Sequence, residues 1–321
     1  MKILNSVSAL YNKISPEADL LKKEVDRIVD SFRHPRWYYF SRVKSKESFA
    51  LKLETGRIAD PKNLEDFFAA TIVVQNLAEI RLVYSEIEKE FEIVYRKPKT
   101  DNETSKEATN FPFDDLRLYL KIKTPDYMPQ SSLNGNIFEM QIKTFLQHAW
   151  SISTHDLVYK ADNISWAKTR VAFQIKAMLE QAELAISGAE HLSLLPELAK
   201  EDKKTLELKK VLGFLTKNFQ REQLPTDLLR LSQITSDLLK NFKISIEELE
   251  SLLVDENARG RGVNTLDLSP YAIMVSTIKN GDIIKFKNAL KKSNRIKTDF
   301  IFIPREIDMT GFEINDRVVK I

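Results

Sequence analysis

Two carboxylates and a set of cations are the residues whose types and spacing can do chemistry in this chain. Glu139 lies in NIFEMQIKTFLQHAWSISTHDLVYK, residues 136–160. There Phe138, Met140 and Ile142 alternate with Glu139, Gln141 and Lys143, which puts an apolar and a polar face on one strand. Asp66 heads DFFAATIVVQ, residues 66–75. A carboxylate at the end of a buried strand is a frequent metal ligand and an equally frequent cap. Arg42 and Lys44 share a strand face in WYYFSRVK, residues 37–44, and Ser48 and Lys52 stand four apart on the helix that follows. Cations on one face grip phosphate oxygens. A charged edge strand that resists pairing shows the same pattern.

Other chemistries find no residues. HExxH, GxSxG and a Gly-rich phosphate loop do not occur, and there is no cysteine. His148 and His155 are seven apart on one expected helix, about 10 Å along its axis, too far to share a metal. Contact with a phosphate or a hydroxyl suits one of them better. A hard cation on carboxylates fits what remains. Mg2+ takes few protein ligands and leaves the rest to substrate phosphates. Asp66 and Glu139 on two strands of one sheet would converge on it, with Arg42, Lys44, Lys52 and Lys143 around them. That set suits phosphoryl-type transfer from Mg-ATP.

The elements that must position these groups follow from periodicity. A helix is expected over 16–33, capped by Ser15, with Pro16 in its first turn and Ala18, Leu21, Val25, Ile28 and Phe32 as its stripe. Strands are expected at 37–44, 66–75, 91–97, 114–123 and from 136, with helices between Ser45 and Gly56, over 77–90 and from Thr144. Residues 98–111 are polar and read as a loop over a site. The fold class is α/β (α+β): a mixed central sheet of about five strands flanked by helices. From about 164 helices dominate, at 164–192, 202–220, 225–241, 245–255, 270–279 and 282–292. Ser245 and Glu248 make a capping box, and Ser269-Pro270 starts a helix. NARGRGVN, 257–264, reads as a flexible basic connector, and DFIFIP, 299–304, as a short strand. Domains are expected at 1–195 and 196–321, the second mainly helical.

Composition bounds the rest. At 321 residues and 43% hydrophobic content the chain buries a full core. A net charge of +3 does not mark a nucleic-acid binder but allows a local basic pocket. The absence of cysteine, of a signal peptide and of an 18-residue apolar run favours a cytoplasmic protein without a membrane partner.

Three stretches together resemble the synthetase domain of RelA/SpoT proteins. SRVKSKESFALKL (41–53) is similar to R-x-K-S-x-x-S, and an Asp-led apolar strand follows at Asp66. FEMQIKTFLQHAWSISTHDLVYK (138–160) is similar to E-x-Q-I-R/K-T with a following Trp and H-x-x-x-Y-K. The resemblance covers roughly residues 16–190, and with no hydrolase domain ahead of it, points to the small, synthetase-only members. It implies a nucleotidyltransferase-like fold and a pyrophosphokinase that transfers the β,γ-pyrophosphate of ATP to a ribose hydroxyl, as in alarmone synthesis. It implies that Arg42, Lys44, Ser48 and Lys52 hold the ATP phosphates. Asp66 and Glu139 would bind Mg2+, with Glu139 also taking the hydroxyl proton. Gln141, Lys143 and His155 would shape the acceptor side.

Two departures qualify the match. Ala69 and Thr71 stand where Gly and Arg are usual. Pro112-Phe113-Asp114-Asp115-Leu116-Arg117 is the counterpart of G-Y-R/K-S-x-H. Phe113 keeps a ring for stacking on a base, Asp114 replaces a cation and Arg117 a His. The acceptor is then GDP or GTP, or the 3′ end of tRNA as in toxin members, with Arg259 and Arg261 of the connector on tRNA or the C-terminal region as a built-in antitoxin. An inactive nucleotide sensor is the third reading. The expected partners are ATP, the acceptor, and a second copy of the chain or an antitoxin.

Overall fold

The computed structural model describes residues 2–56, 64–101, 103–104, 107, 111, 115–123, 132–154, 165–291, 300–314 and 318–321. The chain divides into two compact units, Met1–Leu198 and Ala199–Ile321.

The first unit opens with helix α1, Asn5–Phe32, and carries Pro16 inside it rather than at its start. The expected Ser15 cap is therefore not a cap. Val7, Leu10, Tyr11 and Ile14 continue the stripe of Ala18, Leu21, Val25 and Ile28 and pack on the same core. Each such side chain gains about 1.5–3 kcal/mol on full burial. Together they offset the roughly 3 kcal/mol that an interior proline costs.

The elements that follow are β1 (Tyr38–Val43), α2 (Lys46–Glu54), β2 (Phe68–Val74), α3 (Leu77–Glu90), β3 (Phe91–Lys97), β4 (Leu116–Ile122), β5 (Phe138–Thr144), α4 (Phe145–Ser153), α5 (Trp166–Ser187) and α6 (Ala189–Ser193). Ser45, Asn76 and Thr144 cap α2, α3 and α4 through their side chains, and Gln147 completes a capping box with Thr144. Gly56, at φ 67°, follows α2 in the left-handed conformation that needs no Cβ.

The five strands form one mixed sheet in the order β1-β2-β5-β4-β3. β2 and β5 are parallel, and the other neighbours are antiparallel. β5 is central and β1 is an edge strand. One face of the sheet, with Phe68, Ala70, Ile72, Leu118, Leu120, Phe138, Met140 and Ile142, packs into the core with α1 and α3. Register places the polar residues in rows on the other face. Arg42, Ala69, Glu139, Tyr119 and Tyr95 form one row across all five strands. Phe40, Thr71, Gln141, Arg117 and Lys97 form the next.

The second unit holds α7 (Lys203–Asn218), α8 (Leu228–Phe242), α9 (Ile246–Ala258), α10 (Pro270–Gly281) and α11 (Ile283–Lys291). Two short parallel strands, β6 (Ile301–Ile303) and β7 (Val318–Lys320), accompany them. The Ser245–Glu248 capping box and the Ser269-Pro270 start are both present. No helix among the described residues is long and apolar enough to cross a membrane.

The stretch 257–264 is a folded turn rather than a flexible basic connector. Glu256, whose side chain is 3% exposed, pairs with both arginines. Arg261 donates to it twice, at 2.8 and 2.6 Å, and Asn280 once, at 2.9 Å. The Asn257 side chain accepts from the Val263 amide at 2.9 Å. Gly262 lies against it at φ 62°, where a Cβ would come within 2.2 Å of Asn257 Oδ1. A buried carboxylate needs its donors, so Arg259 and Arg261 are committed to Glu256.

The Arg261 bonds hold the Glu256 carboxyl below the usual range, against its burial. Stability from a lowered carboxyl is complete above the unfolded-state value and is lost as pH falls through the folded one. Arg261→Ala is therefore expected to cost about 2–3 kcal/mol at neutral pH, measured by denaturant unfolding. The gap to wild type should close in strong acid. A gap of the same size in acid would contradict the pairing.

Candidate active site

Glu139 sits in the central strand and is 6% exposed. Its Oε2 accepts from the Tyr119 hydroxyl at 2.8 Å, and its Oε1 from the Gln141 amide. Unmet, a buried carboxylate would cost several kcal/mol. Burial, and then Glu139 itself, push the Tyr119 hydroxyl well above the ordinary phenol value, so it stays a donor. The Tyr119 ring stacks on Tyr95, with centroids 4.2 Å apart and planes at 10°. Lys97 Nζ lies over both rings, at 5.1 and 5.6 Å. The Tyr95 hydroxyl in turn donates to Glu65.

Asp66 follows Glu65 in the turn before β2. Its Oδ2 accepts from Lys44 at 2.9 Å and from Lys52 at 2.7 Å. Burial would raise its carboxyl, but the two ammonium groups outweigh it and hold the carboxyl below its usual range. Its Oδ1 is buried and has no hydrogen-bond partner among the described residues. Lys44 is fixed by its backbone: its amide donates to the Phe67 carbonyl at 2.7 Å, and its carbonyl accepts from the Tyr11 hydroxyl of α1 at 3.0 Å. The Ser48 hydroxyl is tied to the α2 cap, accepting from Ser45 at 3.0 Å.

Three cations flank Glu139 on the same face. Arg117 pairs with Asp115 at 3.3 Å, and Lys143 reaches the same carboxylate at 3.8 Å. Burial lowers Lys143 from the ordinary lysine value despite Asp115. Arg42 is exposed and has no ion pair among the described residues. The structure thus joins Lys44, Lys52 and Asp66 in one cluster and Glu139 with Gln141 in another. Asp66 and Glu139 share no hydrogen bond, but Glu139 pairs in register with Ala69, three positions past Asp66. Phe113 and His155 lie outside the described residues, as does Asp114. Sequence reasoning missed Tyr119, Tyr95, Glu65 and Asp115. Tyr119 lies in the strand expected at 114–123, but only the register puts it opposite Glu139.

The family model for the region found in RelA / SpoT proteins matches residues 41–164. Residues 41–164 are thus similar to the RelA/SpoT region. Among solved structures, the chain is similar to small alarmone synthetase 1 from Bacillus subtilis bound to its product pppGpp, at 16% identity and a TM-score of 0.43, covering 59% of this chain and 100% of that one. A GTP pyrophosphokinase family protein from Streptococcus pneumoniae matches at 17% identity and a TM-score of 0.43, covering 62% and 100%. Small alarmone synthetase 2 from Bacillus subtilis matches at 18% identity and a TM-score of 0.44, covering 55% and 97%. No curated protein matches the chain by sequence.

The matched region holds a carboxylate oxygen, Asp66 Oδ1, with no hydrogen-bond partner among the described residues, beside two lysines. That donor set suits a hard cation, for which Mg2+ needs one or two protein carboxylates and takes phosphate oxygens for the rest. No cluster of three or more metal-ligating side chains exists among the described residues. Lys44 and Lys52 spend their charge on Asp66 until a phosphate competes for them. Asp66→Asn should release them. Inorganic pyrophosphate should then bind the metal-free variant more tightly than wild type, by about 1 kcal/mol, read by calorimetry in chelator. Weaker or unchanged binding would show that the lysines are not phosphate ligands.

Proposed function

We propose that the RelA/SpoT region is an ATP-dependent pyrophosphokinase whose acceptor is the ribose 3′-hydroxyl of GDP or GTP. The observation that carries this reading is the pair of lysines converging on one Asp66 oxygen, on a sheet whose centre holds a hydrogen-bonded carboxylate. The motif likeness of residues 41–53 and 138–144 supports the donor and acceptor classes.

In the reaction the hydroxyl oxygen bonds to the β-phosphorus of ATP. The bond from that phosphorus to the oxygen bridging the α-phosphorus breaks, and AMP leaves with the electron pair. Arg42, Lys44 and Lys52 bind the phosphates and neutralise charge as it shifts. Glu139 takes the hydroxyl proton. Tyr119 and Gln141 hold its two oxygens in place, so it is aimed before the substrate arrives. Arg117 and Lys143, balanced by Asp115, add positive charge on the acceptor side. Asp66, through Oδ1, and Glu139 would hold Mg2+, which when bound supplies further neutralisation of the transferring group.

Glu139→Gln should lower AMP formation from ATP and GDP by about 10²–10⁴-fold, with the variant folded by circular dichroism. An unchanged rate would remove Glu139 from the chemistry and favour another acceptor of the proton.

A further inference from the structure

β1 presents its residues to the site face in steps of two: Tyr38, Phe40 and Arg42, with Lys44 just past its end. The order is two rings, then two cations. The intervening residues face the other way, where Tyr39 and Ser41 both donate to Asp26 of α1 at 2.6 Å. Tyr38 is 54% and Phe40 36% exposed, and neither ring belongs to the hydrophobic core. They are 5.8 Å apart, and His148 of α4 lies against both, at 6.2 Å from Tyr38 and 5.5 Å from Phe40. Burial, and then the nearby Lys143, lower the His148 imidazole, so this ring is uncharged at neutral pH. Thr71, a short residue, stands opposite Phe40 in the β1–β2 register.

Exposed rings cost solvation unless something covers them. Strand geometry says what fits. At about 3.3 Å per residue, Arg42 lies roughly 7 Å and Lys44 roughly 13 Å along the strand from Phe40. The reach from a nucleotide's base to its α-phosphate and then to its β- and γ-phosphates is of that order. We infer that β1 is a track for the donor nucleotide, with the base stacked on the shelf of Phe40, Tyr38 and His148 and the phosphates running toward Arg42 and Lys44. This inference rests on the pyrophosphokinase reading and adds the base subsite to it. Phe40 offers a face and no hydrogen-bonding edge, so the shelf holds any purine by its ring.

The test compares two probes on wild type, Phe40→Ala and Phe40→Trp. One probe is 2-aminopurine riboside triphosphate, whose fluorescence is quenched on stacking. The other is inorganic triphosphate, which needs the cations alone. Phe40→Ala should weaken the nucleotide about tenfold or more and leave inorganic triphosphate unchanged. Phe40→Trp should restore nucleotide binding. Equal weakening of both probes, or of neither, would overturn the shelf while wild type still binds the nucleotide. Wild type that binds neither probe would remove the pyrophosphokinase reading as well.

Discussion

A carboxylate at the centre of a sheet survives only if donors reach it, and the placement of Glu139 organises much of the first unit. Tyr119 and Gln141 meet its two oxygens. Tyr119 is fixed by its stack on Tyr95, and Tyr95 by its bond to Glu65. Glu65 adjoins Asp66, which gathers Lys44 and Lys52. A single series of contacts therefore runs from Glu139 to Lys44 and Lys52 through strands β5, β4 and β3 and the turn before β2. Such networks orient groups more than they add stability. Orientation is what a transfer between two bound nucleotides requires.

The edge strand β1 divides its labour by face. Its inward residues bind α1 through Asp26, and its outward residues remain open toward the site. α1 also places Tyr11 on the Lys44 carbonyl, and Tyr11 packs on Phe49 and Phe67. The N-terminal half of α1, which carries Tyr11, thereby sets where Lys44 starts. This gives the helix a reason to continue past Pro16.

Much of this architecture was legible because it is local. Alternation marked 138–143, the Asp-led apolar run marked β2, and Ser45, Thr144, Ser245 and Ser269 each announced a helix by their own chemistry. The mixed five-stranded sheet with a mainly helical C-terminal part followed from those elements. What was not legible depends on pairing across distance. The partners of Glu139 required the β4–β5 register, and Tyr95 reaches Glu65 across thirty positions of sequence. The arginines at 259 and 261 looked free because the carboxylate that holds them is buried in α9, where sequence shows only one more helix-forming Glu. The start of α1 was misplaced because a proline weighs on local propensity while the stripe that overrules it, Val7 to Ile14, draws its energy from the tertiary core.

The most direct measurement incubates the purified chain with Mg2+ and ATP labelled at the γ-phosphate, offering GDP, GTP and bulk tRNA in separate reactions. The account predicts label in the guanine nucleotide, with AMP released in equal amount. Label in tRNA would keep the transfer chemistry and contradict the acceptor. No labelled product and no AMP with any acceptor would contradict the pyrophosphokinase itself.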